Sequence, residues 1–230
     1  MRFYVLALLA ALATPVAADD VSARYEQPTG RYGHGALGPD HEFARLVITA
    51  ADGTVRAIDL PEALVFEDTA PRLADLDGDG TPEIVVVESH TDLGARIAIY
   101  NTSGQRIAAS PHIGTRFRWL AIAGIADFGG DGVVEIAAVD RPHLARVLRY
   151  WVVEGDLLRE VASFPRVTNH RFGTAEIEGG VRLCDDLPEL ILADATWRRI
   201  LAVRWDGEAV TTVDQGFYAG PHSLTRALDC

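Results

Sequence analysis

Short apolar segments rich in β-branched and aromatic side chains recur along the chain and alternate with polar turn sequences. Such segments, bounded by Gly, Asn, Asp or Ser, predict β-strands. No segment keeps an apolar period of 3.6 residues, so long helices are not expected. The clearest predicted strands are 84–87, 96–100, 136–139, 147–153, 190–192 and 200–204, with turns at 101–104, 154–156 and 206–207.

Three acidic turn segments, each followed by an apolar run, look like copies of one unit. They lie at residues 71–87, 120–138 and 180–193. Aligning Glu83, Glu135 and Glu189 gives spacings of 135 − 83 = 52 and 189 − 135 = 54 residues. A fixed period of roughly 50 residues is typical of propellers and similar arrays.

A fourth unit is predicted upstream at residues 45–59, where Asp52-Gly53 marks a degraded loop. Radial stacking of several sheets hides the apolar faces that a single sheet would expose. The sequence therefore predicts an all-β fold, a small β-propeller of about four blades, with a five-bladed or open propeller-like array as alternatives. The expected domain is 33–230, preceded by an irregular lead at 19–32, and residues 216–230 are expected to complete the first unit.

The N-terminus has the pattern of a secretory signal peptide. Arg2 precedes an apolar run, and Val16 and Ala18 are small residues at the −3 and −1 positions of a cleavage site after Ala18. The alternative is an N-terminal membrane anchor, but the run is shorter than the roughly 20 residues that span a bilayer. Residues 1–18 are thus expected to be removed, which places the protein in the periplasm or outside the cell.

Charge and cysteine content restrict the partners and the compartment. The net charge is −12, which opposes binding to nucleic acid or to an anionic membrane surface and leaves an unknown protein or glycan as the expected partner. Exported thiols meet oxidising conditions. Cys184 and Cys230 are therefore predicted to form a disulfide, with two free thiols as the alternative.

Residues 75–83 form the strongest chemical pattern in the sequence. Acidic side chains alternate along a tight turn in which Gly78 and Gly80 permit unusual backbone angles. Their oxygens suit calcium. An EF-hand would place its closing glutamate at position 86, which is Val86, and β-branched residues follow, so a strand–loop–strand site is predicted.

The pattern Asp-x-Asp-x-Asp-Gly-x-x-Glu between predicted strands resembles the FG-GAP/VCBS repeats of integrin-type propellers and of many bacterial exported proteins. The resemblance covers residues 33–215, with one complete loop. It implies a structural calcium ion, with a merely solvated acidic turn as the alternative. The implied ligands are Asp75, Asp77, Asp79, the carbonyl group of Thr81, and Glu83.

The other two loops have lost acidic residues. The second has Gly129 in place of an aspartate, so weaker calcium binding is expected there, at Asp127, Asp131, the carbonyl group of Val133, and Glu135. In the third only Asp185 and Glu189 remain, and no calcium is expected. Because Cys184 lies in that loop, the disulfide is predicted to replace the metal.

Arginine, histidine and tryptophan residues cluster near predicted strand ends, where a propeller can gather them on one face. They suit a pocket for an anion, a sugar or a peptide carboxylate; the alternative is ion pairing and packing between blades. The residues are Arg116, Arg118, Trp119, Arg141, His143, His170, Arg171 and Trp197.

Residues 33–38 match G-x-G-x-x-G, but Pro39 follows and no helix opens, so dinucleotide binding is not predicted. The sequence favours a non-catalytic binding or scaffold module and leaves catalysis open. Because similar repeats occur in some lyases and hydrolases, the alternative is a polysaccharide-acting enzyme. It would need paired carboxylates outside the loops, for which Asp140 and Asp194 are the candidates. A purely structural partner in an envelope assembly is a third hypothesis.

Overall fold

The computed structural model describes residues 20–38 and 42–230, so the predicted leader and its cleavage site lie outside the described residues. The described part is nearly all β, which confirms the predicted fold class. None of its helices is long and apolar enough to cross a membrane. Hydrogen bonds join the described strands into a 12-stranded sheet and a 5-stranded sheet. We divide the first into three groups that follow the repeats, named sheets I to III, and call the second sheet IV.

Sheet I contains β1 (Ser22–Pro28), β2 (Phe43–Thr49) and β3 (Val55–Asp59). Sheet II contains β4 (Leu64–Phe66), β5 (Arg72–Ala74), β6 (Glu83–His90), β7 (Gly94–Tyr100) and β8 (Arg106–Ala109). Sheet III contains β9 (Leu120–Ala126), β10 (Glu135–Asp140), β11 (Val147–Glu154) and β12 (Leu157–Pro165). Sheet IV contains β13 (Val167–Thr168), β14 (Gly180–Arg182), β15 (Glu189–Asp194), β16 (Arg199–Trp205) and β17 (Val210–Phe217), and helix α1 (Pro221–Ala227) follows.

Sheets II, III and IV share one plan, in which an irregular first strand is followed by three antiparallel strands. The first strand is split into β4 and β5 in sheet II and into β13 and β14 in sheet IV. In sheet III the first strand is β9, and its pairing with β10 shifts register between Ala137 and Ala138 of β10. Glu83, Glu135 and Glu189 each open the second strand, opposite Ala74, Ala126 and Arg182. Their shared register confirms the predicted repeat.

The second strands are apolar throughout because both of their faces are buried. In β6, Val85 and Val87 face sheet III, whereas Ile84 and Val86 face sheet I. In β10 and β15 alternate residues likewise divide between two apolar layers. The core is therefore a series of layers between successive sheets.

The two ends of the array differ from the prediction. Residues 22–28, expected to be irregular, form β1 because they pair along the length of β2. Residues 221–227 do not complete the first unit. They form α1, whose Leu224 packs on Ile191 and Ile200 of sheet IV. The helix covers the face where a further sheet would stack, so the described sheets form an open, curled array.

A disulfide joins Cys184, just after β14, to Cys230, just after α1, with 5.5 Å between the two Cα atoms. This confirms the predicted pairing. The bond and the apolar contacts of α1 together fasten the C-terminal segment to sheet IV.

Candidate functional site

The first acidic loop connects β5 to β6 and brings three carboxylates together. One oxygen atom each from Asp75, Asp77 and Glu83 lies within 4.8 Å of the others. Asp75 accepts hydrogen bonds from the backbone N–H groups of Gly78 (2.8 Å) and Gly80 (2.9 Å), both of which have positive φ. The loop is thus folded around its first aspartate, with acceptor oxygens on one side.

The other two predicted ligands of this loop make contacts of their own. The carboxylate of Asp79 accepts a hydrogen bond from the backbone N–H of Thr81 at 2.6 Å, and Asp79 is not part of the three-carboxylate cluster. Glu83 accepts from the N–H of Leu76 at 2.9 Å. Burial, followed by the negative charges of Asp77 and Asp79, raises the pKa of Glu83 above its ordinary value.

The second loop, between β9 and β10, repeats the same frame. Asp127 accepts from the N–H groups of Gly130 (2.6 Å) and Gly132 (2.9 Å), and Asp131 accepts from that of Val133 (2.9 Å). Glu135 accepts from the N–H of Phe128 at 2.8 Å. Burial is the main cause that raises the pKa of Glu135. The geometry of the turn therefore survives although one carboxylate is missing.

In the third loop, arginine side chains lie where a cation would face the remaining carboxylates. Glu189 accepts hydrogen bonds from Nε of Arg182 (2.8 Å) and Nε of Arg204 (2.6 Å), and Arg204 also contacts Asp185. Burial alone would raise the pKa of Glu189, but the two guanidinium groups outweigh it and the pKa is lowered. The disulfide lies in this loop as predicted, yet the charge opposite the glutamate comes from Arg182 and Arg204, whose role was not predicted.

At the opposite end of sheet III lies a pocket of about 200 Å³, which we call the axial pocket. It contains four of the eight predicted pocket residues, Arg118, Trp119, Arg141 and His143. The five remaining lining residues were not predicted from the sequence. The lining consists of His34, Phe117, Arg118, Trp119, Arg141, Pro142, His143, Leu144 and Phe172.

Two lining residues have a left-handed backbone, Phe117 with φ 57° and Arg141 with φ 48°. Such conformations cost roughly 1–3 kcal/mol for residues other than glycine and persist only where the surroundings fix them. Here the N–H of Phe117 donates to the hydroxyl group of Tyr32 (2.8 Å), and the N–H of Arg141 donates to the carbonyl of Trp119 (2.8 Å). The pocket wall is therefore held by specific contacts.

A buried carboxylate, Glu67, lies behind the pocket and joins three parts of the chain. It contacts Nδ1 of His34 at 2.6 Å and accepts a hydrogen bond from the hydroxyl group of Ser89. Its backbone carbonyl accepts from Nε1 of Trp119 at 2.7 Å. Burial raises the pKa of Glu67, and the hydrogen bond to His34 partly offsets that effect.

A second chain of contacts fixes His143. Its Nε2 lies 2.9 Å from Nδ1 of His170, whose Nε2 lies 2.9 Å from the carbonyl oxygen of Thr174. Burial is the main cause that lowers the pKa of both rings, with that of His143 falling to about 4. His170, a predicted pocket residue, thus supports the pocket from behind.

The remaining predicted pocket residues lie outside the lining. Arg116 packs over the ring of Phe117 at 4.4 Å. Arg171 stacks on Trp197 at 3.9 Å and also faces the ring of Tyr218. For these residues the structure shows packing, which was the alternative interpretation.

The two aspartates considered as catalytic candidates lie apart from the axial pocket. Asp140 forms ion pairs with Arg141 and Arg149. Asp194 accepts hydrogen bonds from the backbone N–H groups of Arg198 (2.6 Å) and Arg199 (2.7 Å) in the turn after β15. Neither lines the axial pocket.

Comparison with known proteins agrees with the repeat plan. No curated protein sequence matches this chain. Among solved structures, rhamnogalacturonan lyase YesW is similar over 80% of this chain and 44% of its own, with 15% sequence identity and a TM-score of 0.44. This chain thus spans less than half of that structure. The FG-GAP-like repeat family matches residues 45–138, which include sheet II and the first acidic loop, so this part of the chain is similar to an FG-GAP-like repeat.

Proposed function

We propose that this protein is an exported, calcium-stabilised module that binds a ligand or partner and has no catalytic role of its own. The observation that carries the binding role is the axial pocket. Its described lining combines aromatic rings, imidazoles and guanidinium groups and includes no carboxylate. A sugar-cleaving site of the common type needs two carboxyl groups about 5–10 Å apart across the reacting bond. The lining therefore supports recognition over glycoside cleavage.

Calcium is proposed as a structural ion of the first acidic loop. Hard cations with oxygen ligands suit the clustered carboxylates of Asp75, Asp77 and Glu83, which repel one another without a counter-charge. Arginine supplies the counter-charge at the corresponding position of the third loop. The ion would neutralise the loop and fix the turn between β5 and β6, far along the chain from the pocket residues of sheet III.

Export is part of the proposal. The Cys184–Cys230 disulfide supports it, since such bonds persist in oxidising compartments. Intact mass measurement of the protein from a producing cell should show a chain beginning at residue 19. A chain that keeps its first 18 residues would contradict cleavage after Ala18.

Thermal unfolding with and without a chelator tests the ion. At a calcium concentration 100 times the dissociation constant, binding adds about 2.7 kcal/mol. The midpoint should then fall by roughly 5–11 °C on chelation, since about 2–4 °C corresponds to 1 kcal/mol at this chain length. Glu83→Gln should remove most of the response, whereas Asp52→Asn, in an exposed turn of sheet I, should keep it. An unchanged wild-type midpoint would show that the ion is wrongly assigned.

Ligand binding is tested on the same material with a panel of sugars, sugar acids and short peptides, using the rise in melting temperature. Phe172→Ala changes a pocket residue that is 60% exposed, and Phe217→Ala changes an exposed phenylalanine outside the pocket. A stabilising compound should lose its effect only in Phe172→Ala. A compound that stabilises both variants equally, or a panel in which none acts at millimolar concentration, would contradict ligand binding at the axial pocket.

A further inference from the structure

Two imidazole nitrogens of the axial pocket are free to accept hydrogen bonds. Nδ1 of His34 contacts the carboxylate of Glu67 at 2.6 Å, so in the neutral ring Nδ1 donates to Glu67 and Nε2 carries the lone pair. Nε2 of His34 has no hydrogen-bond partner among the described residues and is not one of their buried unpaired atoms. It is therefore accessible to a ligand.

His143 also has a free acceptor nitrogen, which is fixed by a different series of hydrogen bonds. The carbonyl of Thr174 can only accept, so His170 donates from Nε2 and accepts at Nδ1. His143 then donates from Nε2 to His170, and its Nδ1 carries the lone pair. Nδ1 likewise has no described partner and is not a buried unpaired atom. The lowered pKa of His143 keeps the ring neutral at neutral pH.

Arg118 gives the pocket a positive charge. Its Nη1 donates to the carbonyl of Phe117 at 3.0 Å, and no carboxylate of the described residues forms an ion pair with it. The neighbouring Arg141 differs, since two of its nitrogens are taken by Asp140. A half-buried guanidinium group without an acidic partner is suited to bind a ligand carboxylate.

Aromatic rings form much of the remaining wall. Trp119 is 1% exposed and fixed by its hydrogen bond to Glu67, whereas Phe172 is 60% exposed at the edge. Such rings pack against the apolar C–H surfaces of a small cyclic ligand. A pocket of about 200 Å³ is smaller than the roughly 300–1,000 Å³ that drug-sized ligands occupy, so it suits one ring and not a chain of rings.

We infer that the axial pocket binds a small hydroxylated ring carboxylate, of the chemical class of the monosaccharide acids, as a refinement that rests on the proposed binding function. Arg118 pairs with the carboxylate, and the free nitrogens of His34 and His143 accept hydrogen bonds from hydroxyl groups. The exposed ring of Phe172 covers a C–H face, and the buried ring of Trp119 supports His143 from behind. A transition-metal ion would also use two imidazole lone pairs, but the positive charge of Arg118 beside them opposes a cation.

Isothermal titration calorimetry of the calcium-loaded protein tests this assignment with three matched probes. D-glucuronate carries the ring, the hydroxyl groups and the carboxylate; D-glucose lacks the carboxylate; and cyclohexanecarboxylate lacks the hydroxyl groups. Charge-assisted hydrogen bonds contribute about 1.5–3 kcal/mol, so glucuronate should bind about 10- to 100-fold more tightly than glucose. It should also bind more tightly than cyclohexanecarboxylate, by about 10-fold, because two neutral hydrogen bonds are lost.

Two variants assign the contacts. Arg118→Met keeps the packing of the side-chain stem and should weaken glucuronate binding about 10-fold or more while leaving glucose binding unchanged. Arg159→Met is the control, since Arg159 is exposed on β12 and pairs with Glu154. His34→Gln should weaken glucuronate and glucose alike.

Three results would overturn the assignment. They are equal affinities for glucuronate and glucose, an unchanged glucuronate affinity in Arg118→Met, and binding of zinc chloride that His34→Gln abolishes while none of the three probes binds. If another compound class stabilises the protein through Phe172, the binding function stands and only the ligand class is wrong. If no compound acts through Phe172, the proposed function itself fails.

Discussion

Arg182→Met tests whether arginine has taken over the role of the cation in the third loop. The side chain of Glu189 is 1% exposed and that of Arg182 is 10% exposed. Arg182 donates to Glu189 from Nε (2.8 Å), its Nη2 forms an ion pair with the same carboxylate at 2.6 Å, and its Nη1 donates to the carbonyl of Ala227 (2.7 Å). Methionine retains much of the stem but removes all three contacts.

Removing one partner of a buried ion pair costs about 3–5 kcal/mol. Arg204 still faces Glu189 in the variant, but its side chain is 41% exposed and screened by solvent, so we expect the low end, about 3 kcal/mol. For a chain of this length that corresponds to a fall of about 6–12 °C in the melting midpoint. Calorimetry in calcium-containing buffer measures it.

The pH dependence gives a second measurement. The pKa of Glu189 is lowered in the folded state, so its stabilisation is present above the unfolded pKa of about 4.3 and is lost as pH falls through the folded value. The gap between wild type and Arg182→Met should therefore narrow below about pH 4. Arg159→Met, which breaks an exposed pair, should change the midpoint little. The assigned role would be refuted if Arg182→Met lowered the melting midpoint by less than about 2 °C, or if the difference in midpoint from wild type did not depend on pH.

Three further predictions concern the other loops and the pocket. Glu135→Gln should reduce the calcium-dependent rise in midpoint less than Glu83→Gln, because the second loop lacks one carboxylate; equal effects in paired chelator melts would contradict this. Cys184→Ser should lower the free energy of unfolding, measured by urea titration, by about 4 kcal/mol, because the chain-entropy model gives that value for a sequence separation of 46 residues. Urea curves that coincide for the variant and wild type would exclude this contribution. Burial lowers the pKa of His143 to about 4, so wild type should lose stability as pH falls from about 6.5 to 4, because the unfolded ring protonates first; the ring is only half-buried and screened by solvent, so we expect a loss of about 1–2 kcal/mol. His143→Gln should lose less over the same range, and identical pH profiles would show that His143 does not contribute.

The repeat plan could be predicted from the sequence because it depends on local pattern. The glutamate spacing places Glu83, Glu135 and Glu189 at one register, and the run Ile84–Val87 predicts a strand with two buried faces. The β1 strand was missed because Ser22–Pro28 has alternating polar residues and a weak apolar signal. Helix α1 was missed because its seven residues carry only one large buried apolar side chain, Leu224.

The pocket could be predicted only in part, since its two halves come from distant segments. Arg118, Trp119, Arg141 and His143 lie at predicted strand ends of one sheet. His34 joins them from a loop 33 residues before its partner Glu67, a contact that no local pattern indicates. Arg182 was missed for a related reason, because its role depends on lying opposite Glu189 on the adjacent strand.

The covered face of sheet IV has a consequence for local opening. Helix α1 is short, and an isolated helix of seven residues is unstable in water, so its amide protons would exchange quickly if contacts with Ile191 and Ile200 were its only restraint. The Cys184–Cys230 bond keeps the detached helix close to its own binding face, which favours reclosure over capture by another chain. Reduction should therefore speed hydrogen exchange in α1 and β15 before the rest of the array loosens, exposing an apolar face to self-association.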